Sequence, residues 1–137
     1  CVECGACRAA CPFGAIDERS SIVPVIMSIK TGSKVIAMVA PSIVGQFGLK
    51  VKADQIYTAL KMAGFADVVE VAIGADIVSV EEAEEYIEKV PAKQPFMTSS
   101  CCPAFVNIVK KYVPDAADKV SHTVSPMVAT GRWLKEQ

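Results

Sequence analysis

The sequence predicts an α/β fold, a parallel sheet flanked by helices and preceded by a short cysteine-rich segment. Three observations predict it. Short apolar, β-branched runs alternate with stretches of helical periodicity, the pattern of strand–helix–strand units with parallel pairing. Glycine and proline punctuate the junctions between them. Hydrophobic residues make up 52% of the 137 residues, enough for one ordinary domain core with a small appendage.

The elements follow in order. Residues 1–11 form a loop with Gly5 and Ala6 at its turn and Pro12 behind its last cysteine. Asp17 to Ser21 is a polar break. Ile22, Val25, Ile26 and Ile29 then recur at helical spacing, with Gly32 where a C-cap falls. Residues 34–39 read as a buried strand, ended by Ala40-Pro41-Ser42. Pro41 suits the first turn of a short helix towards Phe47, weakened by Gly45 and Gly48. Asp54 is the expected N-cap of a helix whose apolar face is Ile56, Tyr57 and Leu60, with Met62 or Ala63, and Gly64 ends it. Residues 67–73 are a second, valine-rich strand. Gly74 turns the chain into a long helix through Ile77, Val80, Ala83, Tyr86 and Ile87, stopped by Pro91. Residues 94–98 read as a third strand. Pro103 opens a helix carrying Phe105, Val106, Val109 and Tyr112, and Ser125-Pro126 opens the last, carrying Met127, Val128 and Trp133.

All six cysteines fall in two clusters. The first, Cys1-x-x-Cys4-x-x-Cys7-x-x-x-Cys11-Pro12, has the spacing of the bacterial iron–sulfur run. Three thiolates so spaced wrap one cubane, and in two-cluster ferredoxins the fourth serves the other cluster. Zinc or disulfides are the alternatives. The chain opens on this ligand and closes in what reads as an unfinished helix, so a piece of a longer protein is expected.

The second cluster, Cys101-Cys102-Pro103, follows the third expected strand and precedes a helix. Ligands of open parallel sheets gather beyond the carboxyl ends of strands, and a helix N-terminus favours anionic sulfur. The bland reading is a pair of partly buried free cysteines. Upstream lies Glu81-Glu82-Ala83-Glu84-Glu85. Glu82 and Glu85 share a helix face, and Glu82 flanks the side marked as buried by Ala83, Tyr86 and Ile87. A solvated acidic face is the bland reading of this run. His122, the only histidine, lies in a loop after Ser121 and by itself points to no ligand role.

A net charge of −1 without a basic stripe argues against nucleic acid, and nothing in the chain suggests a membrane span or a polybasic anchor. Free thiols in this pattern point to the cytoplasm.

Ser99-Ser100-Cys101-Cys102-Pro103-Ala104-Phe105 resembles the first signature of the [FeFe] hydrogenases, Thr-Ser-Cys-Cys-Pro followed by a small residue and an aromatic. The cysteine run is similar to the second half of their ferredoxin-like domain. Ala40-Pro41-Ser42 and Ser125-Pro126-Met127 are similar to further elements near their active site. Phe105 stands in place of the usual Trp, and Val124 in place of a Lys common before Ser-Pro. The family's other two signatures, which supply the remaining cluster cysteines, are not in this chain.

The resemblance implies roles residue by residue. Cys102 matches the ligand of the cubane half of the H-cluster. Cys101 matches the cysteine that exchanges protons with the di-iron half, and Glu82, Glu85 and Ser121 match further stations of that proton path. Pro41, Ser42 and Met127 match residues lining the di-iron pocket. Cys1, Cys4, Cys7 and Cys11 match 4Fe-4S ligands. It also implies a division into residues 1–20, the C-terminal half of a ferredoxin-like 4Fe-4S domain, and residues 21–137, an incomplete N-terminal lobe of the catalytic domain. The intact parent is expected to interconvert protons and electrons with H2. It would exchange electrons with a ferredoxin or similar carrier and work with the remainder of the same chain. The fragment alone is expected to be inactive and without a complete H-cluster. The alternatives are a hydrogenase-like sensor, an iron–sulfur assembly relative, or a plain electron-transfer module.

Overall fold

The computed structural model describes residues 1–137. In chain order its helices are α1 (Ala6–Ala10), α2 (Ile22–Lys30), α3 (Ala53–Met62), α4 (Ala72–Lys89), α5 (Pro103–Tyr112) and α6 (Pro126–Glu136). Its strands are β1 (Ile36–Val39) and β2 (Asp67–Glu70). Two compact units emerge, residues 18–72 and residues 1–17 together with 73–137.

The unit of residues 18–72 is a βαβ arrangement. β1 and β2 pair in parallel, with Ile36 opposite Asp67 and Val39 opposite Glu70. The ladder extends past both ends, where Ala66 N–H donates to Val35 O at 2.8 Å and Val71 N–H to Val39 O at 2.9 Å. Ala37, Val39, Ile56 and Val71 are buried, so alternate residues of β1 share the core with α3. The first strand thus lies where the apolar run predicts it. The second is shorter than residues 67–73, because helix α4 has already begun at Ala72.

Two local expectations in this unit are corrected. The short helix after Pro41 is only a 3-10 turn, Pro41–Ile43, because Gly45 and Gly48 adopt φ of 85° and 91° and break the helical path. The N-cap of α3 is Lys52, not Asp54. Gln55 Oε1 accepts from the Lys52 N–H at 2.9 Å, so the side chain of the third helical residue closes the turn, and Asp54 instead lies within the first turn.

In the other unit, the third expected strand does not form. Residues 94–98 contribute one parallel bridge, Thr98 to Val120. Thr98 N–H donates to Lys119 O and Ser121 N–H to Thr98 O, each at 2.8 Å. Pro95 has no N–H for a ladder, and the chain opposite is coiled into a 3-10 turn through Lys119. The bridge nonetheless fixes residues 99–101 beside residues 121–123.

Gly74 also has a different role from the turn its position suggests. It lies inside α4, and a Cβ there would fall 2.2 Å from Pro126 O and 2.3 Å from Thr130 Oγ1. Glycine is required because α4 and the start of α6 touch at this point. Helices α5 and α6 begin where Pro103 and Ser125-Pro126 predict, with Pro at the first turn of each and Ser125 Oγ accepting from Val128 N–H at 3.4 Å.

Candidate functional site

The side chains that converge belong to α4 and to the two segments joined by the Thr98–Val120 bridge. The orientation of α4 is the reverse of the sequence reading: Tyr86 and Ile87 are 49% and 78% exposed, and Ala83 is exposed too. Glu82 and Glu85 instead turn towards the loops, where hydroxyls and backbone N–H groups replace the water their carboxylates would otherwise bind.

Glu85 is well enclosed, its side chain 13% exposed. Ser121 Oγ donates to its Oε2 at 2.6 Å, Lys89 Nζ to its Oε1 at 2.6 Å, and His122 N–H reaches both oxygens at 3.1–3.2 Å. The His122 ring nitrogen Nδ1 lies 2.9 Å from Glu85 Oε1 and 2.9 Å from Lys89 Nζ. Burial pushes this carboxyl up, but the bonds from Lys89, Ser121 and His122 outweigh it and hold the pKa at about 2. Glu85 is therefore a carboxylate at neutral pH.

Glu82 is held from the other side. Its Oε1 accepts from Ser99 Oγ at 3.1 Å, Ser100 N–H at 3.2 Å and Thr123 Oγ1 at 3.2 Å. Thr123 Oγ1 lies 2.9 Å from Ser121 Oγ, and Ser100 Oγ donates to Thr123 O at 2.7 Å. Ser99 Oγ in turn accepts from the Cys101 N–H at 3.5 Å. A hydrogen-bonded row thus runs from Lys89 and His122 through Glu85, Ser121, Thr123, Glu82 and Ser99 to the backbone of Cys101. A cleft of about 510 Å³ opens beside it, lined by Ser100, Val106, Lys110, His122 and Thr123 among others.

The structure brings together Glu82, Glu85 and Ser121 of the expected set and sets Cys101 at the end of their row. Cys102 is the N-cap of α5, and both cysteines are free and exposed. Met127, in the first turn of α6, is 50% exposed. Pro41 and Ser42 lie in the other unit, exposed at the carboxyl end of β1. Thr123 and Ser99 had no signal beyond proximity, since a lone hydroxyl in a loop is common and only the fold aims these at the carboxylates, whereas Lys89 stands four residues after Glu85 on the same helix, a spacing that pairs the two.

The four cysteines of the first run are also free, and the loop expected over residues 1–11 is in part a short helix, α1, which carries Cys7. Cys1, Cys4 and Cys7 are exposed, and Cys11 is half-buried. Backbone N–H groups of Phe13 and Ala15, with those of Ile16 and Gly14, draw the Cys11 thiol below its ordinary pKa despite some burial. Such a nest of donors suits a cluster-bound thiolate, since N–H···S bonds stabilise its charge. The sulfurs are not gathered around a common point. The donor chemistry at Cys11 and at the exposed Cys101-Cys102 pair fits iron–sulfur ligation, with the pair supplying one of the ligands a cubane needs. No helix is long and apolar enough to cross a membrane.

Soft sulfur ligands at a helix N-terminus with carboxylates and hydroxyls behind them suit a metal-dependent oxidoreductase. Comparison with known proteins is more specific. The family model described as iron only hydrogenase large subunit, C-terminal domain, matches residues 33–137. The chain belongs to this family of [FeFe] hydrogenases.

It is 35% identical to iron hydrogenase 1 of Clostridium pasteurianum, over 90% of this chain and 23% of that protein. It is 29% identical to the NADP-reducing hydrogenase subunit HndD of Solidesulfovibrio fructosivorans, over 98% of this chain and 26% of that protein. With the periplasmic [Fe] hydrogenase large subunit of Nitratidesulfovibrio vulgaris it shares 32% identity, over 86% of this chain and 31% of that one. Among solved structures, an [FeFe]-hydrogenase studied for oxygen inactivation of its H cluster matches with a TM-score of 0.70 and 24% identity, covering 80% of this chain and 32% of that one. The HydA(deltaEFG) [FeFe]-hydrogenase matches with a TM-score of 0.65 and 26% identity, covering 77% and 30%. The chain spans about a quarter of the length of the first two curated relatives.

Proposed function

We propose that this chain is the proton-handling lobe of an [FeFe] hydrogenase whose intact form interconverts protons and electrons with H2. The observation that carries the reading is the row of carboxylates and hydroxyls from Glu85 to Ser99, which ends at the backbone of Cys101. When bound, the H-cluster supplies the redox chemistry of H2.

The chain's own residues supply the rest. Cys102 is the iron ligand of the pair, and Cys101 exchanges protons between the cofactor and the row. Glu82, Ser121 and Glu85 are the acidic and hydroxyl stations, and Lys89 with His122 tethers Glu85 at the outer end. Pro41, Ser42 and Met127 line the pocket of the di-iron half. Cys1, Cys4, Cys7 and Cys11 hold 4Fe-4S iron for electron relay, with residues 1–20 as the end of a ferredoxin-like domain and residues 21–137 as the first part of the catalytic domain. Electrons come from a ferredoxin-like carrier, cysteines spaced for iron rather than disulfides support the cytoplasm as the compartment, and the working enzyme includes the remainder of the same chain.

The test is H2 evolution from a reduced viologen, together with H2 oxidation, by the intact parent carrying its assembled cofactor. Turnover in either direction supports the reading. A fully loaded protein that binds H2 without turnover is a sensor, and one that passes electrons with no response to H2 is an electron-transfer module; either outcome overturns it.

A further inference from the structure

We infer that Thr123 is the junction of the proton path, the hydroxyl through which a proton crosses between Ser121 and Glu82. The inference rests on the hydrogenase reading and adds to it a station that the sequence resemblance leaves out.

The geometry leaves Ser121 one proton, and that proton is engaged with Glu85 Oε2 at 2.6 Å. The side-chain link from Ser121 towards Glu82 runs through the Thr123 hydroxyl, 2.9 Å from Ser121 Oγ and 3.2 Å from Glu82 Oε1. A hydroxyl is both donor and acceptor, so it can receive a proton on one side while releasing its own on the other. Its position is fixed twice over. Thr123 N–H donates to Ser121 Oγ at 3.2 Å, and Thr123 O accepts from Ser100 Oγ at 2.7 Å.

Transfer balances bond for bond. A proton arriving on Glu85 makes that carboxyl the donor to Ser121, whose O–H turns to Thr123 Oγ1; the Glu85 proton then passes to Ser121 Oγ as the Ser121 proton passes to Thr123 Oγ1 and the Thr123 proton passes to Glu82. Each step forms one O–H bond and breaks one. Both hydroxyls end with one proton each, Glu85 is again a carboxylate accepting from Ser121, and the Thr123 O–H turns back to Glu82 once Glu82 has passed its proton on.

The test uses Thr123→Val and Thr123→Ser in the intact parent with its cofactor assembled. Thr123→Val keeps the shape and removes the hydroxyl. It should retain full iron content yet lose H2 turnover in both directions by about a hundredfold, the scale of a lost proton-transfer group. Thr123→Ser should restore turnover to within about twofold of wild type. A structural role would instead respond to the methyl group, so a slow Thr123→Ser with a fast Thr123→Val overturns the inference. Crystal structures of the variants give a readout independent of turnover. Thr123→Val should leave Ser121 on Glu85 with no atom bridging to Glu82, and a water bridging that gap at wild-type turnover also overturns it. A wild-type parent without H2 turnover strikes the hydrogenase reading, whereas an active wild type with an equally active Thr123→Val strikes only the junction.

Discussion

Replacing Lys89 with methionine tests the electrostatics of the site, since it removes the charged donor 2.6 Å from Glu85 Oε1 and keeps most of the side-chain volume. Glu85 titrates at about 2 in the folded protein against an ordinary 4.5. At about 1.4 kcal/mol per pH unit, that difference corresponds to about 3 kcal/mol favouring the ionised form. The folded pKa is depressed, so this stabilisation is fully present above about pH 4.5 and is lost as pH falls through about 2. A charge-assisted hydrogen bond contributes about 1.5–3 kcal/mol, so Lys89→Met should move the Glu85 midpoint up by about 1–2 pH units. The assay is a pH titration of glutamate side-chain carboxylates by carbon-13 NMR, with Glu85→Gln assigning the resonance. The variant should also lose less stability between pH 5 and pH 2 than wild type in urea unfolding. A wild-type midpoint near 4.5, or one that Lys89→Met leaves in place, would refute the argument that donors outweigh burial at Glu85.

Other substitutions test the scaffold. Gly74→Ala should destabilise the protein by more than the 1–3 kcal/mol usual for overpacking, because its Cβ would meet the backbone of Pro126 rather than a movable side chain; thermal unfolding measures it. Ser125→Ala should cost about 1 kcal/mol in urea unfolding through loss of the α6 cap, whereas Ser125→Asp should keep most of it. Ser121→Ala should lower H2 turnover of the intact parent without loss of iron and should raise the Glu85 midpoint, since one of its donors is gone.

Much of the fold was legible from local chemistry. Pro103 and Ser125-Pro126 mark helix starts because proline costs least in a first turn, and residues 34–39 read as a strand, observed over Ile36–Val39, because their apolar run is flanked by breakers. The third strand misled because the short apolar stretch Phe96-Met97 specifies no pairing partner, and a single bridge was what Pro95 and the coiled segment opposite allowed. On α4 the helical period was right and the phase was wrong. Hydrophobicity assigned the inner face to Tyr86 and Ile87, whereas hydrogen bonds from Ser99, Ser121 and Thr123 turned the carboxylates towards the loops. That satisfaction of charge by loop hydroxyls is a tertiary effect, which is why helical spacing could pair Glu82 with Glu85 but their roles and that of Ser121 came only through motif resemblance, and Thr123 was not reached at all.

The central claim is that one cysteine of the adjacent pair serves iron and the other serves protons. It is tested most directly by measuring iron content and H2 turnover together in Cys101→Ala and Cys102→Ala forms of the intact parent. Cys102→Ala should lose the cofactor, because it removes the sulfur at the N-cap of α5 and leaves only Cys101, one residue outside the helix. Cys101→Ala should keep its iron and lose turnover by about a hundredfold or more, cut off from Glu82 and the row behind it. Iron lost from Cys101→Ala and kept in Cys102→Ala would reverse the assignment, and full turnover in both variants would contradict the account.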